Sequence, residues 1–118
     1  MIVRAEPRPE KTAFYTTPEL NLQVGKIVYP AGSEIPRHSH RPVIRSVSGT
    51  SEILVVQNGR MLLDVYADDR SLVCSREMAE GDLVILVSGG HGFRLLEDTV
   101  LIEVKQGPYS GQQEKERF

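Results

Sequence analysis

The sequence predicts an all-β fold, and three observations carry that expectation. No segment sustains a helical apolar period. Short runs rich in Val, Ile and Leu instead alternate with Gly, Asn and Asp turn signals from residue 52 to residue 105. Asn58-Gly59 lies between two such runs, and Asn-Gly in that setting is the strongest short-range signal for a two-residue hairpin turn. A chain of 118 residues is long enough for a single core and too short for two.

Taken in order, residues 1–18 carry Pro7, Pro9 and Pro18 with mixed charge and are expected to form an arm, with a short edge strand over 12–17. Residues 20–29 are a strand candidate with Leu20, Leu22, Val24 and Val28 on one face, closed by Pro30-Ala31-Gly32. Residues 34–40 are extended rather than helical because Pro36 lies within them and Pro42 follows. Residues 41–51 are irregular. Strands follow over 52–57 and 60–66, and a tight turn between them would place Val56 opposite Met61, Leu54 opposite Leu63 and Glu52 opposite Val65. After a turn at 67–70 come strands over 71–78 and 83–87, then a last pair over 91–96 and 99–105 joined at Glu97-Asp98. From residue 107 the chain is a polar tail. Several short strands with regular turn signals mean an all-β barrel or sandwich.

Composition narrows the class further. An apolar fraction of 40% and a charged fraction of 25% are ordinary for a globular domain. No apolar run approaches the ~20 residues that cross a bilayer, and the first residues lack a secretory signal's apolar core, so no membrane partner and a cytoplasmic location are expected. A net charge of −2, with no basic stripe interleaved with aromatics, gives no pull toward nucleic acid. Cys74 is the only cysteine, which excludes an internal disulfide, and in Leu72-Val73-Cys74 it is expected to pack as a small hydrophobe.

Four residues point to chemistry. His38 and His40 are one residue apart, so in extended backbone both imidazoles share a face. Glu52 is the single carboxylate on the face Glu52, Leu54, Val56, Met61, Leu63, Val65. Burying it unpaired would cost several kcal/mol, so it must be at a solvated mouth, be paired with a cation or bind a metal. His91 follows Gly89-Gly90 and shares a face with Phe93 and Leu95 if that run is extended. Gly89-Gly90 is no phosphate loop, since no helix follows, and Ser88 lacks the frame of a nucleophile elbow.

With these residues the chain resembles the cupin superfamily. Gly32, His38, His40, Glu52 and Gly59 fit the first cupin motif, and Gly81, Gly89 and His91 fit the second. Departures are the long interval 41–51 between His40 and Glu52, Val87 in place of a proline, and His91 one residue early. The resemblance implies a jelly-roll β-barrel (a double-stranded β-helix) over residues 19–106, and one divalent transition metal (Fe, Mn, Zn, Ni, Co or Cu) on His38, His40, Glu52 and His91. It also implies a homodimer. The expected function is that of a metal-dependent isomerase or dioxygenase acting on a small oxygenated anionic metabolite such as a sugar derivative or a keto or carboxylic acid. Arg37, Arg41 and Arg45 crowd around the proposed ligands, and a guanidinium there suits a carboxylate or phosphate on that substrate. Two alternatives stay open: a non-catalytic small-molecule-binding module, and an enzyme similar to the sugar-nucleotide ketoisomerases, working without metal.

Overall fold

A computed structural model describes residues 1–108, Gly111 and 115–118. Nine strands and no helix are found among the described residues, so the fold is all-β, and no helix is long and apolar enough to cross a membrane. Two compact units make up the chain, one of residues 1–6 with 49–118 and one of residues 7–48.

The first unit holds two antiparallel sheets. One has the order β1-β7-β4-β9, built from β1 (Ile2–Val3), β7 (Leu83–Leu86), β4 (Glu52–Asn58) and β9 (Val100–Lys105). The other has the order β6-β5-β8, built from β6 (Leu72–Ala79), β5 (Arg60–Tyr66) and β8 (Gly90–Leu95). Neither closes into a barrel. Their inner faces share one core: Leu54 and Val56 from β4 and Val84 and Leu86 from β7 pack with Met61 and Leu63 from β5 and Met78 from β6. Val56, Met61, Leu63 and Met78 are fully buried, each contributing roughly 1.5–3 kcal/mol of transfer free energy.

The strand positions match the sequence expectation closely, but two expected pairings do not form. β4 does not pair with β5: Glu52 to Val56 lie against Lys105 to Leu101 of β9, whereas Met61 and Leu63 of β5 lie against Met78 and Arg76 of β6. Likewise β8 pairs with β5 and β9 with β4, so 91–96 and 99–105 are not a hairpin. In both cases the connecting residues carry the chain from one sheet to the other. Gly59 makes the first crossing with φ +88°, just after a register shift between Val56 and Asn58. A Cβ at this position would be 2.7 Å from Thr99 Oγ1 and 2.9 Å from Thr99 Cα, so the 98–99 turn closes directly onto the glycine. The expected inner face survives because residues that would meet across a hairpin meet instead across the interior. Only β5 and β6 are joined by the expected turn, where Ala67 N donates to Ser71 O at 2.9 Å and Asp69 Oδ1 accepts the Ser71 amide at 2.9 Å.

A buried carboxylate ties the N-terminal residues to the β6–β7 turn. Asp82 is 5% exposed, its Oδ2 accepting from Arg4 Nη1 at 2.6 Å and Ala79 N at 3.2 Å, and its Oδ1 from Ala5 N at 2.8 Å. Burial pushes the carboxyl upward, but the Ala5 amide, the Arg4 guanidinium and the Ala79 amide together hold it below the usual aspartate value. On the neighbouring strand, Val56 N donates to Asp82 O at 2.9 Å.

In the unit of residues 7–48, β2 (Ala13–Phe14) pairs antiparallel with β3 (Gly25–Lys26). The strand expected over 20–29 is therefore reduced to two residues. Thr17 and Pro18 open a turn there, with Leu20 N donating to Thr17 O at 3.1 Å, and the Gln23 side chain closes it by donating to Thr17 O and Leu20 O, both at 2.9 Å. Those side-chain bonds satisfy carbonyls that a longer ladder would have used. Residues 30–48 contain no strand and are exposed throughout.

Candidate functional site

The register of the first unit brings two chemistry-bearing residues to one end of its interior. Leu54 and Val56 face the core, so Glu52, two residues before Leu54, faces the same way at the end of β4. On the other sheet Val65 packs against the core and stands opposite His91, and cross-strand partners share a face. The two side chains meet: His91 Nε2 lies 3.1 Å from Glu52 Oε2, with side chains 28% and 10% exposed. The carboxylate that stands alone in the apolar row of β4 thus lies against an imidazole of the facing sheet. Arg60 pairs instead with Glu97 at 2.7 Å and Glu77 at 3.0 Å.

Neighbouring contacts fix this end of the sheet. Ser51 N donates to Gln106 Oε1 at 3.0 Å, closing the β4–β9 ladder just beyond Glu52. Lys105 stands directly opposite Glu52 in that ladder, with Leu86 on the other side.

Glu52 and His91 line a cavity of about 780 Å³ within this unit. Leu86, Phe93 and Tyr66 supply its apolar wall, and Arg70 supplies a guanidinium. Residues 115–118 form a further wall. The Phe118 ring lies edge-on to Tyr66 with centroids 5.3 Å apart, Arg70 covers the Phe118 ring at 5.2 Å, and Arg70 Nη2 pairs with Glu116 Oε1. A volume of this size is in the usual range for small-molecule sites, roughly 300–1,000 Å³.

The other expected site residues lie elsewhere in the chain. His38 and His40 are exposed on the irregular segment of the second unit, their rings 5.4 Å apart at 78°, with His38 Nδ1 3.0 Å from Pro36 O. They adjoin one another as the alternation of extended backbone requires, but not on a strand. Arg37, Arg41 and Arg45 are exposed on the same segment. Among the described residues no group of three or more His, Cys, Asp and Glu side chains is close enough together to hold a metal ion. Tyr66, Arg70, Glu116 and Phe118 were not foreseen as site residues. Tyr66 ends strand β5, whereas Arg70, Glu116 and Phe118 lie in a turn and a polar tail that carry no periodic pattern, and a lone terminal aromatic among charged residues is the only signal that could have flagged the last of them.

No family model matches this chain, and neither a curated protein nor a solved structure matches it.

Proposed function

We propose that the protein is a small metal-dependent cupin that acts on a small oxygenated anionic metabolite, by isomerisation or oxygenation, in the Glu52–His91 cavity. The observation that carries this is the 3.1 Å separation of Glu52 Oε2 and His91 Nε2 on facing inner surfaces of a two-sheet β architecture. Two ligand atoms bound to one ion at about 2.1 Å each lie about 3 Å apart, and one imidazole with one carboxylate suits a first-row divalent metal. Glu52 and His91 are two of the four ligands expected from the sequence, and the jelly-roll barrel belongs to the same proposal. A bound metal would supply Lewis-acid polarisation of a substrate oxygen. The chain's own part is to hold the carboxylate and imidazole on rigid strands and to screen them from bulk water with Leu86 and Phe93. Arg70 meets the anionic group of the substrate there.

Metal analysis and thermal melting test this. Added Mn²⁺ or Zn²⁺ at about 100 times its Kd is expected to stabilise the protein by about 2.7 kcal/mol, a gain that chelation removes. Glu52→Gln and His91→Ala should each lose most of it. Melting curves unchanged by either metal would sink the metal reading.

One observation favours a second reading. A carboxylate against an imidazole nitrogen is the arrangement in which an acid orients a histidine for proton transfer, so Glu52 and His91 suit a metal-free isomerase, as in the ketoisomerase alternative. Activity that persists under chelation and disappears in His91→Ala distinguishes it.

A further inference from the structure

We infer that the seat formed by Tyr66, Gly90 and Arg70 is a subsite for an aromatic carboxylate, and that the chain's own Phe118 ring and Glu116 carboxylate occupy it as a displaceable stand-in. This rests on the cavity being a ligand site and names the class of acid that it takes.

Three features of the seat carry the inference. Gly90 is not among the glycines with positive φ, so its backbone does not demand glycine; what its missing side chain provides is room, since a Cβ there would be 2.7 Å from Phe118 Cζ and 3.0 Å from Cε1. Arg70 is the one non-glycine residue with positive φ among the described residues, at 69°, a conformation in which Asn or Gly is more at ease. Arginine there is explained by its side chain, which covers a ring face and pairs with a carboxylate at once. A planar guanidinium is suited to both tasks, and an aromatic acid presents both groups.

The third feature is that the hold is weak. Phe118 is 61% exposed, and the Arg70 and Glu116 side chains are 51% and 81% exposed, so their ion pair is solvated and screened. A ligand ring buried deeper against Tyr66 and Phe93 would displace the chain's own, and its substituent would extend toward Glu52 and His91 along the same cavity.

Calorimetric titration of the full-length chain with 3-phenylpropionate, and with propionate as the ringless control, tests this in chelated buffer. If the stand-in occupies the seat about nine-tenths of the time, Phe118→Ala should bind 3-phenylpropionate about tenfold more tightly than the unaltered protein, because apparent affinity scales with the competent fraction. Adding Arg70→Gln to that variant should cancel the gain, and propionate should gain little in either. Equal or weaker binding of 3-phenylpropionate to Phe118→Ala overturns the inference, as does an equal gain for propionate. Because the comparison is made without metal, failure of the metal proposal leaves this ratio intact. Absence of the ratio likewise leaves the metal proposal standing.

Discussion

Replacing Asp82 by alanine is expected to destabilise the protein by about 2–4 kcal/mol at pH 7, the cost of taking a buried acceptor away from three donors, one of them the half-exposed Arg4 guanidinium. Three donors converge on this carboxylate: Arg4 Nη1, Ala5 N and Ala79 N. Removing it takes one acceptor from each of the three and leaves the N-terminal residues tied to this end of the sheet by the β1–β7 pairing and by the bond from Arg4 Nη1 to Glu77 O. The pH dependence has a definite sign. The folded carboxyl is held below its ordinary value, so its contribution is complete above the unfolded value of about 3.9 and is lost as pH falls through the lower folded value. Urea unfolding of the parent and of Asp82→Asn should therefore show a gap near neutrality that narrows below about pH 4. A gap independent of pH from 7 to 2.5 would mean that the carboxylate's charge contributes nothing.

Gly59→Ala is expected to cost about 2–6 kcal/mol. The left-handed backbone accounts for about 1–3 kcal/mol of strain in any residue with a Cβ. The new methyl adds an overpacking cost of about 1–3 kcal/mol, since beside the Thr99 hydroxyl it meets the backbone of Asp98 and Thr99, which cannot turn away. The measurement is the denaturant midpoint, with Gly49→Ala as a control: that glycine also has positive φ, at 75°, but meets nothing within 4 Å of its built Cβ. Equal losses in the two variants would show that conformation alone matters at Gly59 and that the close approach of the 98–99 turn does not.

The inward set Leu54, Val56, Met61 and Leu63 was legible in the sequence because a period of two puts Leu54 with Val56 and Met61 with Leu63, although the hairpin pairing expected to join the two sets does not form. The partners were not legible. An Asn-Gly step with positive φ serves a hairpin equally well as a crossing between packed sheets, and only the interior decides between them. Here it does so by placing Met61 and Leu63 over Leu54 and Val56 rather than beside them. Glu52 stood out as one carboxylate in an apolar row, whereas its contact with His91 depends on the β5–β8 register, which no local pattern encodes. Arg70 and Phe118 were invisible for a different reason: they meet through a turn and a tail, where composition says only that the chain is solvated. The strand expected over 20–29 failed because side-chain bonds from Gln23 outcompete a ladder that alternation alone would suggest.

The crossing at Gly59 also sets the order in which the chain can assemble. Within the first unit only β5 and β6 are neighbours both along the chain and in a sheet, so theirs is the one pairing that a nascent or refolding chain reaches by closing a short loop. β4 lies between β7 and β9, and must wait for both while three strands are laid down elsewhere. Topologies dominated by such distant pairings fold in roughly milliseconds to seconds, a range that stopped-flow refolding reads directly. Throughout that interval Leu54 and Val56 sit on a strand with two unpaired edges, which makes β4 the segment most exposed to aggregation before the fold is complete.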